Sequence, residues 1–270
     1  MNKLILHCTP FWAYQVGGKE SLPFCIADRS LQVVKMTAWT FWDPVRIILL
    51  VLSSFFWLIS LLISSLWWFA VVPLRHEPVF GLVFSVAFQE IFRILLYLLL
   101  FKARSFMSKL TENDPIFGDK PHILAYVLGF GFGISSGLFG LVNVLADSLG
   151  PGTLGIKGGD FGVSRHFFIF SALFSLAIVL CHTAWGVIAF SACEEKKYLR
   201  LVTVWAMHYA LSGISLLNQS QLYALTLITT YLILTSSIAM AFFIAGGSVN
   251  SLKACFALRN GDSSTNVFVR

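Results

Sequence analysis

The sequence predicts an all-α, polytopic membrane bundle of about six spans, and three observations carry that prediction. Of its 270 residues, 57% are hydrophobic and only 12% charged, with a mean hydropathy of +0.79, whereas charged residues make up about a quarter of a soluble domain. Long apolar runs lie near 45–72, 79–101, 122–146, 166–191, 200–217 and 222–245, each close to or above the about 17 to 25 residues that a spanning helix needs. The basic residues also segregate. With both termini cytoplasmic, only Arg75, Lys157 and Arg165 fall outside, while clusters such as Lys102–Arg104–Lys109 and Lys196–Lys197–Arg200 fall inside, as the positive-inside rule requires. The net charge of +6 therefore orients the chain, and no nucleic-acid partner is needed to explain it.

Residues 1–42 mix glycine, proline and charge among short apolar pieces and read as a non-spanning inside segment. They lack a convincing cleavable leader, because the stretch after Leu4 is short and broken by His7 and Pro10. Residues 43–247 form the helical domain, and 248–270 a short polar inside tail. Asp43-Pro44 opens the first span as an N-cap followed by proline at the first helical position. Trp39 and Trp42 at one end, and Trp67 and Trp68 at the other, suit interfacial belts. The tight turn Pro73 to Pro78 makes the first two spans an antiparallel hairpin. Lys102 to Pro121 is the largest inside loop, and a glycine-rich outside loop runs from Gly150 to Arg165.

The third span, HILAYVLGFGFGISSGLFGLVNVLA, holds Gly129, Gly133 and Gly137 four residues apart. At this spacing glycines line a groove where another helix approaches backbone to backbone. On a wheel of about 100° per residue, Gly140, Ser136, Asn143 and Asp147 share that arc, which covers roughly a third of the helix. Phe130, Phe132, Leu138, Phe139, Leu141 and Val142 occupy the rest and suit lipid or apolar neighbours. The groove fits a partner protein or another helix of the same chain.

Ionisable groups in a bilayer cost about 2.5 to 3.5 kcal/mol each, so Glu90, Arg93, His182 and His208 require a reason. Counted from the cytoplasmic ends at about 1.5 Å per residue, they lie about 12 to 16 Å deep, in the same layer as Gly129 and Gly133. Glu90 and Arg93 form an i, i+3 pair. The layer reads as interhelical hydrogen bonding or partner contact, with a proton or ion path as the alternative. Metal or hydrolytic chemistry is the weakest reading. Gly133-Ile134-Ser135-Ser136-Gly137 matches G-x-S-x-G, but that elbow needs a strand-to-helix turn, and this one lies inside a helix. No zinc-protease motif is present, and no cofactor or metal is expected.

The five cysteines show no metal-type spacing, and none falls in an outside loop where a disulfide forms. Cys193 and Cys255 lie next to basic residues just inside the membrane, a setting compatible with S-acylation. Asn218-Gln219-Ser220 is a glycosylation sequon, but its short loop hugs the bilayer.

Six pieces resemble, in order, the anterior pharynx-defective (Aph) family of γ-secretase subunits. They are Asp43 to Phe69, Phe88 to Arg93 (FQEIFR), Gly129 to Gly152, Cys181 to Val187 (CHTAWGV), Ala192 to Tyr198 (ACEEKKY) and Ala245 to Ser248 (AGGS). They span most of positions 43 to 250. The resemblance implies a non-catalytic scaffold that joins nicastrin early and then stabilises presenilin and the presenilin enhancer. The resulting intramembrane aspartyl protease cleaves type I membrane proteins such as Notch and amyloid precursor protein, with presenilin supplying the catalytic aspartates. It also implies endoplasmic reticulum and Golgi, then plasma membrane or endosomes, as the compartments. By position, Gly129, Gly133 and Gly137 match the family's assembly ladder, and His182 and His208 its two intramembrane histidines linked to presenilin. The family has seven spans and an outside N-terminus. Residues 1–42 offer no such first span, which predicts an inside N-terminus with the other six orientations kept.

Overall fold

A computed structural model describes residues 44–74, 77–107, 121–149, 167–220 and 222–247. The expected segment 1–42, the tail 248–270 and most of the two long loops lie outside the described residues. Among the described residues six α-helices appear in order: α1 (Pro44–Ala70), α2 (Pro78–Met107), α3 (Pro121–Leu149), α4 (Phe167–Glu194), α5 (Tyr198–Ser215) and α6 (Tyr223–Ile244). All six are long and apolar enough to cross a membrane, and no strand occurs among the described residues. This is the all-α polytopic class that the composition predicts.

Proline opens α1, α2 and α3, a position where its missing N–H removes no intrahelical bond. The described part of the α1–α2 connection holds a 3-10 turn, Val72–Leu74, and Phe80 N donates to Glu77 O at 3.1 Å as α2 starts. α2 extends six residues past the apolar run, because helical hydrogen bonds continue whether or not the side chains are apolar. At the end of α4, Lys196 takes φ 56° and Lys197 N donates to Ala192 O at 2.9 Å, the left-handed cap usually given to glycine. α6 ends on Gly246 at φ 88°, with Gly247 N donating to Phe242 O at 2.9 Å. Asn218 of the sequon lies in a 3-10 turn, Leu216–Ser220, that continues α5.

α3 and α4 share the largest interface. α1 packs against α2 and α3, while α4 also meets α2, α5 and α6. Of the most apolar stretch of α4, 61% is buried, against 17% for α5 and for α6; α4 is the enclosed helix and the last two lie at the periphery. Two apolar clusters result. One joins Leu49, Trp57, Leu96, Leu128 and Phe132 across α1, α2 and α3. The other joins Cys181, Trp185, Ile188, Val204 and Leu234 across α4, α5 and α6.

Candidate functional site: a buried polar quartet beside a glycine seam

The face of α3 that carries the glycine ladder is filled by α4 of the same chain. A Cβ built on Gly129 would lie 2.7 Å from Thr183 O and 3.1 Å from both His182 O and the Gly186 Cα. On Gly133 it would lie 2.5 Å from Val179 O, and on Gly137 2.5 Å from Val179 Cγ2. At Gly129 and Gly133 the obstructing atoms are backbone, so the site admits hydrogen but no carbon, while at Gly137 the obstruction is a single valine methyl. Between the two options that the spacing left open, the structure seats the chain's own helix on these three rungs. The seam loosens at Gly140, where a Cβ would meet only Ser175 Oγ at 3.8 Å, and Gly140 is exposed. The side chains of Asn143 and Asp147 lie outside the described residues. Phe132, placed on the bulky arc, is buried.

Two further close contacts escaped the spacing argument. Gly186 on α4 answers Gly129, since a Cβ there would fall 2.5 Å from the Gly129 Cα. It stands four residues after His182, so its sequence signal was present within CHTAWGV. Gly131 faces the opposite way, toward α1, where a Cβ would meet Leu50 O at 2.6 Å. There Ser53 Oγ donates to Leu128 O, and Ser54 Oγ donates to Gly131 O at 3.1 Å. Serine at 53, 60 and 64, all buried, was the available clue to this second small-residue face.

The close approach of α4 carries His182 to α2. The i, i+3 spacing puts Glu90 and Arg93 on one face of α2, and the four ionisable residues of the layer converge. Arg93 Nη2 donates to His182 Nδ1 at 2.8 Å and lies 3.3 Å from Glu90 Oε1. His208 Nδ1, on α5, is 2.6 Å from the same Glu90 Oε1. No member of the quartet exceeds 4% exposure. Pairing is what makes such burial tolerable, because an isolated charge would have its full desolvation penalty uncompensated.

Aromatic rings enclose the quartet. The Arg93 guanidinium sits 5.2 Å from the centroid of Phe132, and the His182 and His208 rings stand perpendicular at 5.0 Å. Trp185 packs on both histidines, at 5.3 and 4.9 Å, and its Nε1 donates to Ser237 Oγ of α6 at 2.9 Å. On the far side, Trp57 Nε1 of α1 donates to Gln89 Oε1 at 3.2 Å, next to Glu90. The quartet therefore joins α2, α4 and α5 directly, with α1 and α6 fastened through the two indoles. Glu90 Oε2 and Arg93 Nε and Nη1 have no hydrogen-bond partner among the described residues.

Chemically the arrangement is one carboxylate between a guanidinium and an imidazole, with a second imidazole on the guanidinium. Among the described residues no group of three His, Cys, Asp or Glu side chains could hold a metal. Ser135 lies buried in the uninterrupted helix α3, without the strand-to-helix turn that exposes a nucleophile. Outside the apolar layer, Glu195 binds Lys197 Nζ at 2.6 Å and Arg200 Nη1 at 3.1 Å, and accepts from Ser191 Oγ at 2.8 Å. The hydrogen bond from Lys197, then those from Ser191 and Arg200, hold its carboxyl at about 2.

Six apolar helices drawn around a shared buried polar cluster define an integral, multi-pass membrane protein with a specified internal packing. The family model described as Aph-1 protein matches residues 31–248, and the chain belongs to that family. It is 47% identical over 211 residues to the γ-secretase subunit Aph-1 of Drosophila melanogaster, covering 78% of this chain and 86% of that protein. Over 231 residues it is 43% identical to the γ-secretase subunit Aph-1b of Danio rerio, covering 82% and 86%. Over 222 residues it is 41% identical to the γ-secretase subunit APH-1B of Homo sapiens, covering 79% and 83%.

Proposed function

We propose that this chain is a non-catalytic scaffold subunit of γ-secretase, which joins nicastrin and then stabilises presenilin and the presenilin enhancer. The observation that carries the reading is the family match across residues 31–248, together with relatives named as γ-secretase subunits over most of both chains. Its role in cleavage of Notch, amyloid precursor protein and other type I membrane proteins is then indirect, and presenilin provides the aspartates. Assembly takes place in the endoplasmic reticulum and Golgi, with delivery to the plasma membrane or endosomes. Residues 1–42 and 248–270 flank the helical domain as inside segments.

In this reading Gly129, Gly133 and Gly137 act from within, by seating α4 so that the Glu90–Arg93–His182–His208 quartet closes and the bundle keeps one shape. Gly140, with Asn143 and Asp147 one and two turns further along α3, is the part assigned to a partner helix. The chain's own polar groups at the quartet are directed at one another, which suits a scaffold better than a transport path.

The test is co-purification. The tagged full chain, expressed in cells that lack their own family member, should recover nicastrin, presenilin and the presenilin enhancer and restore Notch cleavage. A chain that reaches the membrane at normal levels yet recovers none of the three would overturn the proposal. Proton-coupled transport by the purified chain in liposomes would instead favour the transporter reading.

A further inference from the structure

We infer that the Glu90–Arg93 pair holds the two histidines in opposite states at Nδ1: bare and accepting on His182, protonated and donating on His208. Guanidinium has five N–H donors and no acceptor. With Arg93 Nη2 at 2.8 Å from His182 Nδ1, that nitrogen must offer its lone pair, and the ring proton of neutral His182 belongs on Nε2. A carboxylate paired with arginine is an acceptor. His208 Nδ1, at 2.6 Å from Glu90 Oε1, must therefore carry a hydrogen. The hydrogen bonds run from His208 to Glu90 and from Arg93 to His182, and an ion pair at 3.3 Å joins Arg93 to Glu90 between them.

Glu90 and Arg93 are thereby positioning residues, and the histidines are not interchangeable. The ionisable groups facing His182 are Arg93 from α2 and His208 from α5, while α3 presents the Phe132 ring and α4 its own Trp185. A proton placed on His182 Nδ1 sets donor against donor and opens the tie between α2 and α4. A proton placed on His208 Nε2 leaves its bond to Glu90 intact. The inference rests on this geometry and is independent of the γ-secretase role.

Solid-state NMR of the full chain in lipid bilayers, with ring-¹⁵N histidine and assignments from His182→Asn and His208→Asn, reads the state of each nitrogen. The wild type should show a bare Nδ1 on His182 and a protonated Nδ1 on His208. Arg93→Lys, which still donates, should keep the His182 pattern, and Arg93→Met should move it while His208 retains its Nδ1 proton. A protonated Nδ1 on His182 or a bare Nδ1 on His208 in the wild type would overturn the inference. So would a His182 spectrum unmoved in a folded Arg93→Met variant. The wild-type spectrum decides the matter even if that variant fails to fold.

Discussion

Gly129 and Gly186 meet backbone to backbone, so closely that a Cβ on Gly186 would lie 2.5 Å from the Gly129 Cα. The carbonyl of His182, one turn earlier on α4, rests against the same spot on α3. The depth to which α4 sinks into α3 thus decides whether the His182 ring reaches Arg93. Packing and polar chemistry are coupled at this point.

Gly186→Ala should accordingly destabilise the chain by about 1 to 3 kcal/mol, the range for forcing a methyl into a filled interface. Gly213→Ala, whose Cβ meets nothing within 4 Å, should be neutral or slightly stabilising through helix propensity. Thermal unfolding of both purified variants in one detergent separates them. Equal melting temperatures would contradict the seam.

The ladder also separates folding from assembly. Gly133→Leu should lose both the folded chain and its recovery with presenilin, because α4 has nowhere to move. Gly140→Leu, at the exposed end, should leave the melting temperature near that of the wild type and lower partner recovery several-fold. Size-exclusion profiles alongside co-purification distinguish the two; normal recovery with Gly140→Leu would remove the partner role from that end.

Arg93→Met alone strands the Glu90 carboxylate and should cost about 3 to 5 kcal/mol, as breaking a buried pair does. Combining it with Glu90→Gln should cost less than the sum of the single changes, by about 0.5 to 3 kcal/mol. Equilibrium unfolding of the four proteins in lipid or detergent closes the cycle. Strict additivity would mean that the two groups do not sense each other.

Trp185→Phe removes the Nε1–H bond to Ser237 while keeping the ring against both histidines. It should cost about 0.6 to 2 kcal/mol, the range for one interhelical hydrogen bond in a membrane protein. Ser237→Ala should cost about the same, and the double variant no more than either alone. The same unfolding assay checks it.

Glu195 gives a pH dependence outside the apolar layer. Its carboxyl titrates at about 2 in the folded chain, below the ordinary value of 4.5. A depressed acid contributes stability that is complete above its unfolded pKa and lost as pH falls through its folded pKa. The α4–α5 turn should therefore stay clamped down to about pH 4.5 and loosen between there and about pH 2, with only a small effect because the pair is exposed. Amide exchange at Lys196 and Lys197 reads the opening, and Glu195→Gln should abolish the acid step.

The membrane class, the six apolar spans, the proline start of α1 and the shared depth of Glu90, Arg93, His182 and His208 were all legible along the chain. Each depends on a one-dimensional quantity: bilayer thickness, helical rise or a cap residue a fixed distance from a span. The spacing of Gly129, Gly133 and Gly137 likewise identified a face. It could not identify what covers that face, because helical period gives an azimuth and says nothing of the neighbour at that azimuth. Only the tertiary structure decided that α4 fills it and that Gly186 answers Gly129. The same holds for Gly131 turning toward Ser53 on α1 and for one carboxylate oxygen joining Arg93 to His208. Those contacts link residues as many as 118 positions apart, where the relative rotation and height of two packed helices, set by all their side chains at once, determine which groups meet.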